Sequence, residues 1–138
     1  MSERQGTRCK YLLDASALYP ILISDLPFNP DACAVTSLTE YEIGNVLWKE
    51  NRRSKIDDPK RVAAIFSEAM HPLRKLEVDS MADVLAISIQ RGLTFYDASY
   101  AHLAETKKLK LVTKDAELLK KCAVAISVEE MLRDKDAL

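Results

Sequence analysis

The stretch Tyr11-Leu12-Leu13-Asp14-Ala15-Ser16-Ala17-Leu18 decides the fold. Three apolar residues with no polar alternate read as a short strand buried on both faces, as in a parallel sheet covered by helices. Asp14 closes the strand, and residues from Ser16 to about Ile23 read as a helix that follows almost at once. The pattern recurs along the chain. Cys33 to Thr36, Lys110 to Thr113 and Val124 to Ile126 read as strands, and Leu76 to Val78 as a weaker one. Strands alternating with helices, with no two-residue hairpin signal, predict an α/β protein: a three-layer α/β/α sandwich with a mainly parallel central sheet.

The helices announce their ends. Asn29-Pro30-Asp31 marks a loop. Ser37 followed by Glu40 fits a capping box for a helix that runs to about Arg53. Asp58-Pro59 opens the next, with Asp58 as cap, Pro59 at the first helical position, and Val62, Ile65, Phe66, Ala69, Met70 and Leu73 as its apolar stripe. Ser80 with Asp83 marks another start; Met81, Val84, Leu85 and Ile89 are its expected buried face and Gly92 its stop. Tyr96-Asp97 opens a helix to about Lys107, Asp115 a short one to Lys121, and Val128 the last, to about Asp134. Residues 1–8 are polar and expected to be loose, and residues 1–138 are expected to form one domain.

With 138 residues and 48% hydrophobic content, the chain can bury a real core without staples. It has no apolar run long enough to span a membrane and no signal-peptide pattern at its start, so a soluble, cytoplasmic protein is expected. Cys9, Cys33 and Cys122 form no C-x-x-C pair and leave one odd thiol in any pairing, which fits a reducing compartment and argues against zinc fingers. Gly6, Gly44 and Gly92 make no phosphate-cradling loop. His71 and His102 sit where structural histidines are expected. The net charge of −1 gives no whole-protein basic field, although Lys49, Arg52, Arg53 and Lys55 form a local positive cluster, as do Lys107, Lys108 and Lys110.

Four acids carry the chemistry. Asp14, Glu42, Asp97 and Asp115 are far apart in sequence, yet each lies at a strand end or early in a helix. Strand ends of an open α/β sheet converge on one crevice, and four carboxylates gathered there repel one another unless a cation lies between them. Each also has a structural alternative: Asp97 and Asp115 suit helix caps, and Glu42 suits a surface position. An all-oxygen ligand set favours Mg²⁺ or Mn²⁺ over zinc, and such ions promote in-line displacement at phosphorus. Phosphodiester hydrolysis is the matching reaction.

Leu13-Asp14-Ala15-Ser16-Ala17-Leu18, Glu42-Ile43-Gly44-Asn45-Val46-Leu47, Thr94-Phe95-Tyr96-Asp97-Ala98-Ser99-Tyr100 and Leu111-Val112-Thr113-Lys114-Asp115, in this order, resemble the PIN-domain nucleases and especially the VapC-type toxins. The resemblance spans Tyr11 to about Ile126. It implies a metal-dependent endoribonuclease acting on single-stranded RNA, with Asp14 a direct ligand and Glu42, Asp97 and Asp115 binding the ion directly or through water. Ser16 and Thr113 match positions where the family often places a hydroxyl near the site, and Asn45 a polar position beside the glutamate. A homodimer and a small antitoxin partner are implied as well.

Aromatic faces at Tyr19, Trp48 and Tyr96 suit either base stacking or packing. Trp48, Lys49, Arg52 and Arg53 are the candidate RNA or partner contacts. Two rival functions use the same fold: a non-catalytic RNA- or protein-binding module, which four acids facing phosphate disfavour, and a DNA-directed structure-specific nuclease, which is usually longer.

Overall fold

The computed structural model describes residues 9–138; the expected looseness of residues 1–8 lies outside them. Five strands form the central sheet: β1 (Tyr11–Leu13), β2 (Cys33–Thr36), β3 (Arg74–Leu76), β4 (Lys110–Val112) and β5 (Ala125–Ile126). Their order is β3-β2-β1-β4-β5. Every pairing is parallel, with Tyr11 beside Cys33 and Lys110, and Leu13 beside Val112. The chain builds outward from β1 to β3 on one side, then returns to lay β4 and β5 on the other. The direction of winding therefore changes between β1 and β4, the position where open α/β sheets bind ligands at the carboxyl ends of their strands.

Among the described residues, seven helices cover the sheet: α1 (Ala15–Ile23), α2 (Ser37–Arg52), α3 (Pro59–Met70), α4 (Met81–Arg91), α5 (Phe95–Lys107), α6 (Ala116–Lys121) and α7 (Val128–Leu132). Successive strand residues point to opposite faces and so divide the core in two. Tyr11 and Leu13 pack with Leu18, Ile21, Ile43, Leu47, Phe66 and Met131, beneath α1, α2, α3 and α7. Leu12 packs with Val84, Tyr100, Leu103, Leu111 and Leu118, beneath α4, α5 and α6. No described helix is long and apolar enough to cross a membrane. Cys9, Cys33 and Cys122 are free thiols.

Several local expectations shift. The cap of α2 is Thr36, not Ser37: Thr36 Oγ1 accepts from Leu38 N at 3.1 Å and Thr39 Oγ1 accepts from Thr36 N at 3.1 Å. Two capping patterns overlap here one residue apart, and β2 settles between them by ending at Thr36. The loop at Asn29 contains a 3₁₀ turn, Pro30–Ala32, and the third strand starts earlier than expected, at Arg74. Asp58 and Ser80 do cap their helices, and Gly92 ends α4 at a φ of 67°, the left-handed region glycine tolerates. The largest correction is in α4. Only Val84 of its four predicted core residues is buried; Met81, Leu85 and Ile89 face outward. Ile65 of α3 is likewise exposed.

Candidate active site

The sheet places Asp14 at the C-terminal end of β1, where it caps α1, and Thr113 and Asp115 just past the end of neighbouring β4. Asp14 is only 6% exposed, an expensive place for a carboxylate unless its oxygens are satisfied. Oδ1 accepts from Ser16 Oγ at 2.7 Å and from Ala17 N at 3.1 Å, while Oδ2 accepts from Thr113 Oγ1 at 2.5 Å. Both hydroxyls are themselves oriented from β4's loop: Lys114 N donates to Ser16 Oγ at 2.9 Å and Asp115 N to Thr113 Oγ1 at 3.0 Å. One backbone turn thus fixes the rotamer of an acid 99 residues earlier.

Glu42 approaches from α2, and a relay holds it. Tyr100 of α5 donates its O–H to Glu42 Oε1 at 2.7 Å, so Thr39 Oγ1, 2.7 Å from the same phenol, must donate to it. Thr36 N donates in turn to Thr39 Oγ1 at 3.1 Å. The network thus runs from the cap of α2 through a buried tyrosine to the acid. Asp97 lies in the first turn of α5, where Thr94, not Asp97, is the cap. Asp115 does cap its helix, accepting from Glu117 N and Leu118 N at 2.8 and 3.1 Å.

The four acids share one electrostatic field. Burial raises the Asp14 carboxyl above the ordinary range against its three hydrogen bonds, and the Asp115 charge adds to the rise. Burial likewise raises Glu42, with further repulsion from Asp14 and Asp97, and it raises Asp97, with repulsion from Asp115 and Asp14. Such carboxylates gain from a cation, and their all-oxygen chemistry suits a hard divalent ion. As placed, no three His, Cys, Asp or Glu side chains among the described residues are gathered tightly enough to hold one. Both Asp14 oxygens are engaged by the protein's own donors.

The remaining candidates divide. Ser16 and Thr113 bond Asp14 directly, whereas Asn45 is exposed and makes no hydrogen bond to the acids among the described residues. Trp48 is 54% exposed, but it lies six residues beyond Glu42 and about 120° around α2, away from the acids' side. Arg52 stacks over the Trp48 ring at 5.0 Å, and Arg53 pairs with Glu50 at 3.0 Å. Lys49 is about 20° from Glu42 around the helix and has no ion-pair partner among the described residues. Tyr19 packs edge-on against Phe66, with centroids 5.9 Å apart, and belongs to the core. His102 is buried and its Nε2 lies 3.2 Å from Asp79 Oδ1, outside the cluster of acids.

Sequence reasoning missed Thr39 and Tyr100 as site residues. The signal was their spacing, since Thr39 precedes Glu42 by three residues and Tyr100 follows Asp97 by three, each sharing a helix face with an acid.

Comparison with known proteins identifies the family and the fold. The family model described as PIN domain matches residues 11–124. The chain is 42% identical over 125 residues to Exonuclease VapC9 of Pyrobaculum aerophilum, covering 89% of this chain and 93% of that one. It is 32% identical over 124 residues to Ribonuclease VapC3 of the same organism, covering 81% and 94%. The crystal structure of PAE2754 from Pyrobaculum aerophilum superposes with a TM-score of 0.80 at 40% identity, covering 91% of this chain and 95% of that one.

Proposed function

The chain belongs to the PIN-domain family, and on that premise we propose that it is a divalent-metal-dependent ribonuclease that hydrolyses phosphodiester bonds within single-stranded RNA. In the cell it acts as the toxin of a VapBC-type pair, with a small antitoxin as partner and a second copy of itself in the native assembly. The observation that carries this reading is the field of four carboxylates around buried Asp14 at the winding switch of the sheet. A site that attracted only phosphate would not concentrate negative charge there.

Asp14, Glu42, Asp97 and Asp115 would hold Mg²⁺ or Mn²⁺. When bound, such an ion lowers the pKa of water and stabilises charge developing on phosphoryl oxygens. The chain's own contribution is preorganisation. Ser16 and Thr113 orient Asp14, and Tyr100 orients Glu42, so two of the four acids are held by the chain's own hydrogen bonds. Lys49 lies on the acids' side of α2, which supports a role in binding the RNA backbone; the Trp48–Arg52 pair faces elsewhere and suits a protein partner better.

The test is cleavage of end-labelled single-stranded RNA and of matched single-stranded DNA, with Mn²⁺ and with EDTA. Cleavage of RNA that EDTA and Asp14→Asn each abolish is expected; full activity in EDTA removes the metal mechanism, and a preference for DNA removes the RNA assignment. The name of the 42% identical relative, an exonuclease, favours attack from an end as a second reading. A circular RNA separates the two, since only internal cleavage opens it.

A further inference from the structure

Tyr96 directly precedes Asp97 in the first turn of α5, yet its ring belongs to neither side of the core and is 60% exposed. It stands at the mouth of a cavity of about 190 Å³ just past the carboxyl ends of β2 and β3. In a parallel sheet that is the same edge that carries Asp14 and Asp115. Leu38, Leu76 and Phe95 form the more buried wall of the cavity, and Ser37, Val78 and Tyr96 are exposed at its rim. No charged side chain lines it. The chain itself joins it to the acids. Tyr96 is the neighbour of Asp97, and Thr36, a further lining residue, supplies the amide from which the relay through Thr39 and Tyr100 reaches Glu42.

We infer that this cavity receives one unpaired nucleobase of the RNA strand, stacked on the Tyr96 ring, with an adjoining phosphate at the acids. A nucleotide divides into a charged phosphate and a flat, neutral base, and this edge of the sheet divides in the same way. The uncharged cavity has no cation to hold a phosphate, whereas an aromatic ring left in water gains from a second flat ring laid against it. Size also favours a base. The cavity falls below the roughly 300 Å³ at which pockets begin to take larger ligands, and so suits one ring system better than a helix of a protein partner. The exposed Ser37 hydroxyl is left over because Thr36 takes the cap of α2, and as donor and acceptor it can meet the edge of any base. Stacking with one adaptable hydroxyl predicts a subsite that needs a base but discriminates weakly among the four.

The inference rests on the proposed function for an RNA substrate, and its test reads binding separately from cleavage. A labelled single-stranded RNA octanucleotide is titrated by fluorescence anisotropy in Ca²⁺, alone and with an abasic site placed at each position in turn. One position should matter, its abasic form binding about tenfold more weakly to wild type. Tyr96→Ala should weaken the intact RNA by a similar factor and bind the intact and abasic forms alike, since the two changes remove the same contact. Tyr96→Phe, which keeps the ring, should behave as wild type. If Tyr96→Ala fails to fold by circular dichroism, Val78→Glu at the rim takes its place with the same expectation. No binding of the intact RNA, no sensitive position, a sensitive position that persists in Tyr96→Ala, or a Tyr96→Phe as weak as Tyr96→Ala overturns the inference. RNA binding that Tyr96→Ala leaves unchanged would give the cavity to some other occupant, such as an apolar side chain of a protein partner, and overturns it too. Mn²⁺ added to the same RNA keeps the two readings apart: cleavage without a sensitive base leaves the nuclease standing alone, and a sensitive base without cleavage leaves the subsite standing alone.

Discussion

Glu40 and Glu42 sit two positions apart on α2, about 200° around its axis, and cannot serve one site. Glu40 is exposed and lies 3.9 Å from Lys75, an ion pair of little weight, so Glu40→Gln should leave both cleavage and stability nearly unchanged. Glu42→Gln keeps the shape and the Tyr100 hydrogen bond but removes a charge, so Mn²⁺ affinity and cleavage should fall together. Tyr100→Phe should cost about 1–2 kcal/mol, because Thr39 and Glu42 both lose a partner, and should lower cleavage roughly tenfold by freeing the Glu42 rotamer. Cleavage rates and melting temperatures of the three variants check this; an inactive Glu40→Gln beside an active Glu42→Gln would show that the wrong glutamate was assigned. At this scale the acids were legible because a carboxylate directly after Tyr-Leu-Leu is costly unless it has work to do. Tyr100 was not, since a tyrosine within a helix reads as core, and only the fold reveals that its hydroxyl reaches an acid 58 residues away.

Element boundaries followed local chemistry, and they failed where two local signals competed. Thr36-x-x-Thr39 and Ser37-x-x-Glu40 both fit a capping box, and the strand end chooses the first. Thr36→Ala should therefore cost about 1 kcal/mol, while Ser37→Ala, an exposed change, should stay within about 0.5 kcal/mol by denaturant titration. Equal costs would restore the Ser37 assignment. Periodicity marked α4 as a helix but could not say which of its apolar sides faces inward, because its apolar residues nearly encircle the axis. Its attachment is partly ionic: Arg91 binds Glu105 of α5 through two hydrogen bonds, 2.7 and 3.0 Å, and this partner holds the Glu105 carboxyl below its usual range. A carboxylate depressed in the folded state stabilises the protein above its unfolded pKa, and that contribution is lost as pH falls through the lower folded value. The stability gap between wild type and Arg91→Met should thus be full at neutral pH and close in acid. A gap that stays constant across that range would show that Arg91 acts through packing alone.

Over the whole molecule, the alternation of strands and helices was enough for the layer architecture, yet no local signal orders the strands β3-β2-β1-β4-β5. That order is what brings Asp14 beside Thr113. The same convergence opposes folding, because burial and mutual repulsion push Asp14, Glu42 and Asp97 above the ordinary carboxylate range. Removing one charge should relieve the metal-free protein: in EDTA, Asp97→Asn should be more stable than wild type by about 0.5–2 kcal/mol, at about 3 °C per kcal/mol. Binding reverses the balance. A ligand at 100 times its Kd stabilises the folded state by about 2.7 kcal/mol, a gain open to wild type and largely closed to a variant lacking one ligand charge. The order of melting temperatures should therefore invert between EDTA and saturating Mn²⁺. If Asp97→Asn is the less stable protein in both, its carboxylate supports the fold itself; if it is the more stable in both, the acids do not share a cation.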